Sequence, residues 1–154
     1  MNKTLTINNQ TILITGVAGF IGAATAKTIL TRYPTCQVVG IDNLNAYYSV
    51  KLKQARLSEL RRFANFTFIK GDITHTPTIQ RIFHKYQPAL VLHLAAQAGV
   101  GYSISHPDNY IRDNILGFYQ ILEACRHQTP AHLVYASSSS VYGAPACWTT
   151  RRSF

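Results

Sequence analysis

The sequence predicts an α/β protein with a doubly wound parallel sheet of about five strands. Three observations carry that prediction. Short apolar runs alternate with amphipathic stretches from Thr11 to Ser137, the first run opens onto glycines at positions 16, 19 and 22, and Pro77 and Pro88 punctuate a helix start and a strand start. Strands separated by helices pair in parallel, and right-handed crossovers leave few alternatives to helices on both faces of one sheet.

Strands are expected at Thr11–Thr15, Gln37–Asp42, Phe66–Lys70, Leu90–Leu94 and His132–Ser137, each a short apolar run with β-branched or aromatic residues. Helices are expected at Ile21–Arg32, Ser49–Arg62, Thr78–Tyr86 and Tyr110–Gln128. The last of these stacks Ile111, Ile115, Phe118, Leu122 and Cys125 on one face at helical spacing. No internal repeat or low-complexity linker interrupts the pattern.

The segment Ile12-Leu13-Ile14-Thr15-Gly16-Val17-Ala18-Gly19-Phe20-Ile21-Gly22 joins a buried-strand pattern to glycines spaced for a phosphate-binding turn. Each glycine removes a side chain where backbone, pyrophosphate and helix approach closely, and the helix aims unpaired N–H groups at the phosphates. A tight strand-to-helix turn needs glycine whether or not a ligand binds, so the glycines alone are a weak signal. Asp42 decides between the readings. It lies 20 residues beyond Gly22 at the end of the second run, where a carboxylate accepts from an adenosine ribose, and strand, glycines, helix, strand and acid together give the Rossmann dinucleotide-binding pattern. Asp42 would repel a 2′-phosphate, and Asn43 and Leu44 offer no neighbouring Arg to accommodate one, so NAD is expected over NADP.

At 154 residues the chain is expected to form one domain with a real core. There is no apolar run of about 18 residues, and Met1–Gln10 is polar, so neither a membrane span nor a secretory signal is expected and the address is cytoplasmic. Cys36, Cys125 and Cys147 are far apart without metal-ligand spacing, which predicts incidental thiols and no metal site. The net charge of +9 raises the question of nucleic acid. However, Lys51, Lys53, Arg56, Arg61 and Arg62 alternate with Leu52, Ala55, Leu57 and Leu60 at helical spacing, which reads as the solvated face of an amphipathic helix, and no nucleic-acid partner is expected.

Further polar residues lie just past the strands, at the edge where open parallel sheets bind ligands. Asp72 in Gly71-Asp72-Ile73 can accept from an adenine amino group while Ile73 covers the ring, or Asp72 can cap the next helix. The small residues of Leu94-Ala95-Ala96-Gln97-Ala98 let backbone pass close to a flat ligand, whereas His93 before them reads as a hydrogen-bonded core histidine. Ser137-Ser138-Ser139-Ser140 marks a turn, or presents hydroxyls to a substrate oxygen.

Five blocks carry a family resemblance: Thr15 to Gly22, Asp42-Asn43-Leu44-Asn45, Gly71-Asp72-Ile73, His93 to Val100, and Tyr135 to Gly143. On them the chain resembles the extended short-chain dehydrogenase/reductases of the NAD-dependent epimerase/dehydratase family. Asn43 through Tyr47, Tyr48, Leu52, Lys53, Gln54, Ala55, Arg56 and Leu57, together with Leu122-Glu123-Ala124-Cys125-Arg126-His127, is similar to the epimerases that act on UDP-glucuronate. The resemblance implies NAD held by Gly16, Gly19, Phe20, Ile21, Gly22, Asp42, Asn43, Asp72, Ile73, Leu94, Ala95, Ala96, Gln97 and Asn114. It also implies a UDP-sugar bound in part by Ser139 and Ser140, a hydroxyl oriented by Ser138, oxidation and re-reduction at sugar carbon 4, and a homodimer as the assembly of full-length members.

The family's Tyr-x-x-x-Lys base is expected some two dozen residues beyond the serine run, and residues 1–154 do not contain it there. Tyr47 and Lys51 have that spacing by chance, on the adenosine side. Residues 144–154 depart from the family's pattern and carry the only Trp, and Gly101 stands where the resemblance expects Arg. The expected organisation is therefore an incomplete NAD-binding domain over 1–143, lacking the C-terminal strands and substrate lobe, and then an aberrant tail from a truncated or frameshifted reading frame. Two function classes remain open: the cofactor half of a nucleotide-sugar 4-epimerase, inactive alone, and a non-catalytic dinucleotide-binding fragment.

Overall fold

A computed structural model describes residues 7–142, with the side chains of Ser139 and Ser140 outside that description. Five parallel strands, β1 (Thr11–Thr15), β2 (Gln37–Asp42), β3 (Phe66–Lys70), β4 (Leu90–His93) and β5 (His132–Tyr135), form one sheet in the order β3-β2-β1-β4-β5. The order reverses at β1, which lies between β2 and β4 with Leu13 opposite Val39 and Val91. The predicted class is the observed one. Successive side chains of a strand face opposite sides, so a strand covered on both faces is apolar throughout. In β1, Ile12 and Ile14 enter one core with Val38, Ala26, Leu30, Leu57 and Leu60. Leu13 enters the other with Val39, Ile41, Ile79, Ile82, Phe83 and Ile121. The first core is roofed by α1 (Phe20–Arg32) and α2 (Val50–Leu60), the second by α3 (Thr76–Tyr86) and α6 (Gly117–Gln128).

The connection from β4 to β5 differs from the sequence expectation. In place of one helix from Tyr110, the chain forms α4 (Val100–Ser105), α5 (Pro107–Tyr110) and a π-helical segment, Ile111–Leu116, before α6. A π turn bonds i to i+5 and rotates the succeeding residues about the axis relative to an α-helix. The predicted stripe is split: Ile111 is 53%, Ile115 57% and Leu122 41% exposed, whereas Phe118 and Cys125 are half-buried, Phe118 against His93 and Cys125 against the second core. The packed face is Asp113, Gly117, Ile121 and Ala124. Its small residues allow close approach, since a Cβ on Gly117 would lie 2.5 Å from Ile73 Cδ1. β5 borders the sheet among the described residues, with Val134 and Tyr135 exposed.

Candidate functional site

The C-terminal ends of β1, β2 and β4 open into a cleft of ≈ 540 Å³ beside the strand-order reversal. Its floor is the turn from β1 into α1. Gly16 N–H donates to Ile41 O (2.8 Å), Gly19 N–H donates back to Gly16 O (3.0 Å), and Ala23 N–H begins the helix ladder on Gly19 O (3.0 Å). Gly16 has φ +69°, where a side chain is disfavoured, and a Cβ there would also meet Ala95 N at 2.8 Å. At Gly22 a Cβ would stand 2.3 Å from Gly16 O, so glycine is what lets α1 sit against its own turn. The helix starts without a side-chain cap and without an acid in its first turn. Its opening N–H groups and positive dipole end are thus available to an anion, which fits a pyrophosphate. Gly19, Phe20 and Ile21 line the cleft with Gly16 and Gly22.

The wall after β4 is set by Thr15. Its hydroxyl accepts from Leu94 N–H (3.1 Å) and Ala95 N–H (3.0 Å), so its own proton is left for His93 Nδ1 at 2.9 Å. His93 is therefore a neutral acceptor at Nδ1 with its proton on Nε2. Burial pushes its pKa down to about 4, and its ring stacks on Phe118 at 5.2 Å. This is the core histidine the sequence predicts. Leu94, Ala95, Ala96 and Gln97 line the cleft as expected. Asn114 acts through them: its Oδ1 accepts from Gln97 N–H (2.7 Å) and its Nδ2 donates to Gln97 O (3.0 Å), so it clamps the loop from the π segment.

At the other end stands Asp42, almost fully buried. Its Oδ2 accepts from Ala18 N–H (3.1 Å) and its Oδ1 from Leu44 N–H (2.8 Å). The reading of the basic cluster as a solvated face requires correction here. Lys53 is only 6% exposed. Its ammonium donates to Asn45 O (3.1 Å) and Oδ1 (3.0 Å) and stands 3.8 Å from Asp42 Oδ1. Arg56 Nη1 donates to Ala18 O (3.2 Å), and its guanidinium lies 5.8 Å from the Phe20 ring centre. Only Lys51, Arg61 and Arg62 of the five are exposed. The reason is the helical period: Ser49, Leu52, Lys53 and Arg56, at i, i+3, i+4 and i+7, share the face that lines the cleft. That spacing was available in the sequence as the signal for these residues.

Asn43 lines the cleft and donates from Nδ2 to Asp72 Oδ2 (2.9 Å). The other oxygen of Asp72 accepts from Thr74 N–H (2.9 Å) and Oγ1 (2.7 Å), so both oxygens brace the loop behind Ile73, which does line the cleft. Burial works to raise the Asp72 pKa, but the bonds from Asn43 and Thr74 and the charge of Arg112 outweigh it and hold the carboxyl low. Asp113, which no sequence signal marked, lines the cleft and pairs with Arg112 at 2.7 Å.

Tyr47 and Tyr48 cover the mouth. The Tyr47 ring lies 4.7 Å from Tyr102, which stacks on His106 at 4.1 Å, and Tyr110 donates to Ala98 O (2.8 Å). Desolvation, then Tyr48 and Tyr110, raise the Tyr47 pKa, the wrong direction for a base, and Lys51 is exposed on α2. The spacing of Tyr47 and Lys51 thus builds no acid–base pair. Ser137 and Ser138 follow β5 and Ala136, whose N–H donates to His93 O (3.1 Å), so the serine run starts at the same sheet edge. The side chains of Ser139 and Ser140, and everything from residue 143 including Cys147, lie outside the described residues. Cys36 is buried and donates to Ile7 O, and Cys125 is half-buried. Among the described residues no group of His, Cys, Asp and Glu is placed to hold a metal, and no helix is long and apolar enough to cross a membrane.

The profile of the GDP-mannose 4,6 dehydratase family matches residues 13–151. The chain belongs to this family of NAD-dependent epimerases and dehydratases. It is 50% identical to protein CapI of Staphylococcus aureus over 133 residues, 86% of this chain and 39% of that protein. It is 42% identical to UDP-glucuronate 4-epimerase 4 of Arabidopsis thaliana over 142 residues, 92% of this chain and 32% of the relative. The chain therefore spans about a third to two-fifths of the length of these curated relatives. Among solved structures, UDP-glucuronic acid 4-epimerase of Bacillus cereus in complex with UDP-glucuronic acid and NAD superposes with a TM-score of 0.79 at 35% identity, covering 86% of this chain and 41% of the enzyme's. The same enzyme with NAD alone gives a TM-score of 0.75.

Proposed function

We propose that this chain is the NAD-holding part of a nucleotide-sugar 4-epimerase that acts on UDP-glucuronate. The observation that carries the proposal is one cleft with an uncapped helix N-terminus at one end and the buried Asp42 carboxylate at the other. The first fits a pyrophosphate and the second a ribose diol. Gly16, Gly19 and Gly22 bring backbone to the phosphates; Asp42 holds the adenosine ribose; Ile73 and the Leu94–Gln97 strip flank the bases. Bound NAD supplies a hydride acceptor for sugar carbon 4. Ser138 orients the hydroxyl there, and Ser139 and Ser140 contribute to holding the sugar nucleotide. The substrate class rests on similarity to enzymes whose names state UDP-glucuronate.

The same cleft also fits a second reading, a dinucleotide binder without catalysis. Two measurements separate them. Calorimetric titration with NAD tests the cleft; no binding would refute both readings. Fusing residues 1–143 to the C-terminal portion of a UDP-glucuronate 4-epimerase then tests the enzyme reading. Conversion of UDP-glucuronate to UDP-galacturonate that falls sharply in Ser138→Ala is the expected result, and a folded, NAD-bound but inert fusion would leave the binder.

A further inference from the structure

We propose that residues 98–110 form a flap over the cleft, latched by Tyr102 against Tyr47, and that this latch sets how fast a dinucleotide enters and leaves. The inference rests on the reading of the cleft as an NAD site. The flap is bonded to itself. The Tyr110 hydroxyl, at its end, donates to Ala98 O (2.8 Å) with Gly99 O beside it, which ties the end to the start. Tyr102 joins the two short helices: its ring, on α4, stacks on His106 at 4.1 Å, and its hydroxyl accepts from Asn109 Nδ2 (3.2 Å) on α5. A compact loop with its ends together and its packing supplied by its own side chains is an Ω-loop. Neither α4 nor α5 buries a residue, and Val100 and Ile104 are 86% and 82% exposed. Little burial therefore opposes opening. The wall just before the flap is different, since Gln97 is buried and clamped to Asn114, so the boundary between fixed wall and flap falls between residues 97 and 98.

An aromatic contact holds the flap across the mouth. Tyr47, on the β2–α2 loop, lines the cleft with Tyr48 and Ala98, and its ring centre is 4.7 Å from that of Tyr102, which stands behind it outside the cleft lining. Gly99 completes the seat: its φ is +100°, and a Cβ there would run into the Tyr47 hydroxyl, so glycine lets the flap backbone close onto the ring. The loop that carries Tyr47 is pinned on both sides of it, by Asn43 on Asp72, by Lys53 on Asn45 and by the Ser49 cap of α2. Tyr47 is thus the fixed post and Tyr102 the moving part. The latch joins protein to protein, so it contributes equally with and without a ligand and shifts no binding equilibrium. Loosening it raises the open fraction for entry and exit alike, and both rates rise by one factor while Kd stays.

The test is stopped-flow fluorescence on the whole chain, with NADH emission reporting entry and an excess of NAD as the chase that reports exit, in the parent, Tyr102→Ala and Tyr102→Phe. Circular dichroism verifies folding. Tyr102→Ala speeds entry and exit together by roughly three- to tenfold, the worth of one aromatic pair, and leaves the Kd for NADH within about twofold of the parent. Tyr102→Phe keeps the ring and stays near the parent in both rates. Parental rates in a folded Tyr102→Ala overturn the inference while leaving the NAD site in place. So does a change confined to one rate, with Kd moved in proportion, because Tyr102 would then be a ligand contact. Tyr102→Phe as fast as Tyr102→Ala also overturns it, since the ring contact would not be what holds the flap. As α4 and α5 bury no residue, a Tyr102→Ala chain that does not fold would make this segment part of the core and overturn the flap as well. A parent that binds no NADH refutes the NAD site itself and the inference with it.

Discussion

Protonating His93 should loosen both the fold and the cofactor wall. Its pKa falls from 6.5 to about 4 because the ring is buried, so the folded protein prefers the neutral form. The unfolded chain binds a proton below about 6.5, and the folded one resists until about 4. Stability contributed by neutral His93 is thus complete above pH 6.5 and is lost as pH falls through the window to 4. A shift of that size corresponds to about 3 kcal/mol at roughly 1.4 kcal/mol per pH unit. The geometry adds a local consequence. A protonated Nδ1 cannot accept from the Thr15 hydroxyl, whose orientation holds Leu94 N–H and Ala95 N–H. NAD affinity should therefore decline over the same window. The assay is urea unfolding at pH steps between about 4 and 7.5 for the parent and His93→Asn, whose amide oxygen can stand near Nδ1 and accept from Thr15. The other histidines, 75, 84, 106, 127 and 132, are exposed and common to both proteins, so they cancel in the difference. A stability gap that narrows by about 3 kcal/mol on acidification is expected. Parallel curves would refute the assignment of a buried neutral acceptor.

The remaining predictions concern the cleft. Gly19 has φ −67° and ψ 172°, which any residue adopts, so Gly19→Val should keep most of its helical circular dichroism while losing the calorimetric signal for NAD; retained affinity would contradict the glycine-turn reading. Asn114→Ala leaves Gln97 N–H without its partner, costing about 1–3 kcal/mol of stability, and should weaken NAD binding through the displaced 94–97 strip, both measurable by thermal melts with and without NAD. A Cβ at Gly101 meets nothing within 4 Å, so Gly101→Arg should fold normally and gain roughly 0.5–1 kcal/mol from replacing a helical glycine; a lower Tm would show that the site is less open than its geometry. The 154 residues alone should convert no detectable UDP-glucuronate at saturating NAD, since a positioned base contributes about 10²- to 10⁴-fold in rate, and robust turnover would restore Tyr47 and Lys51 as candidates.

The features legible in the chain alone are local and periodic. Strand β1 is apolar at every inner position because both its faces are covered, and Gly16 and Gly22 are glycine because a Cβ would strike Ala95 N or Gly16 O; the apolar run and the glycine spacing announce both without any knowledge of packing. Asp42 was legible for the same reason, since a strand end at a set spacing after a glycine turn has one place to go. Packing between distant segments set the rest. Lys53 and Arg56 carry the composition of a solvated helix, and only the docking of α2 over the β1–α1 turn shows that their face looks into the cleft rather than into water. Along 111–128 the buried face carries Asp113, Gly117, Ile121 and Ala124 rather than Ile111, Ile115 and Leu122, a choice made by the close approach of Gly117 to Ile73, which hydrophobic spacing does not show. The clamp of Asn114 on Gln97 was not legible, because hydrogen-bond partners 17 residues apart are chosen by packing and not by the pattern on either segment.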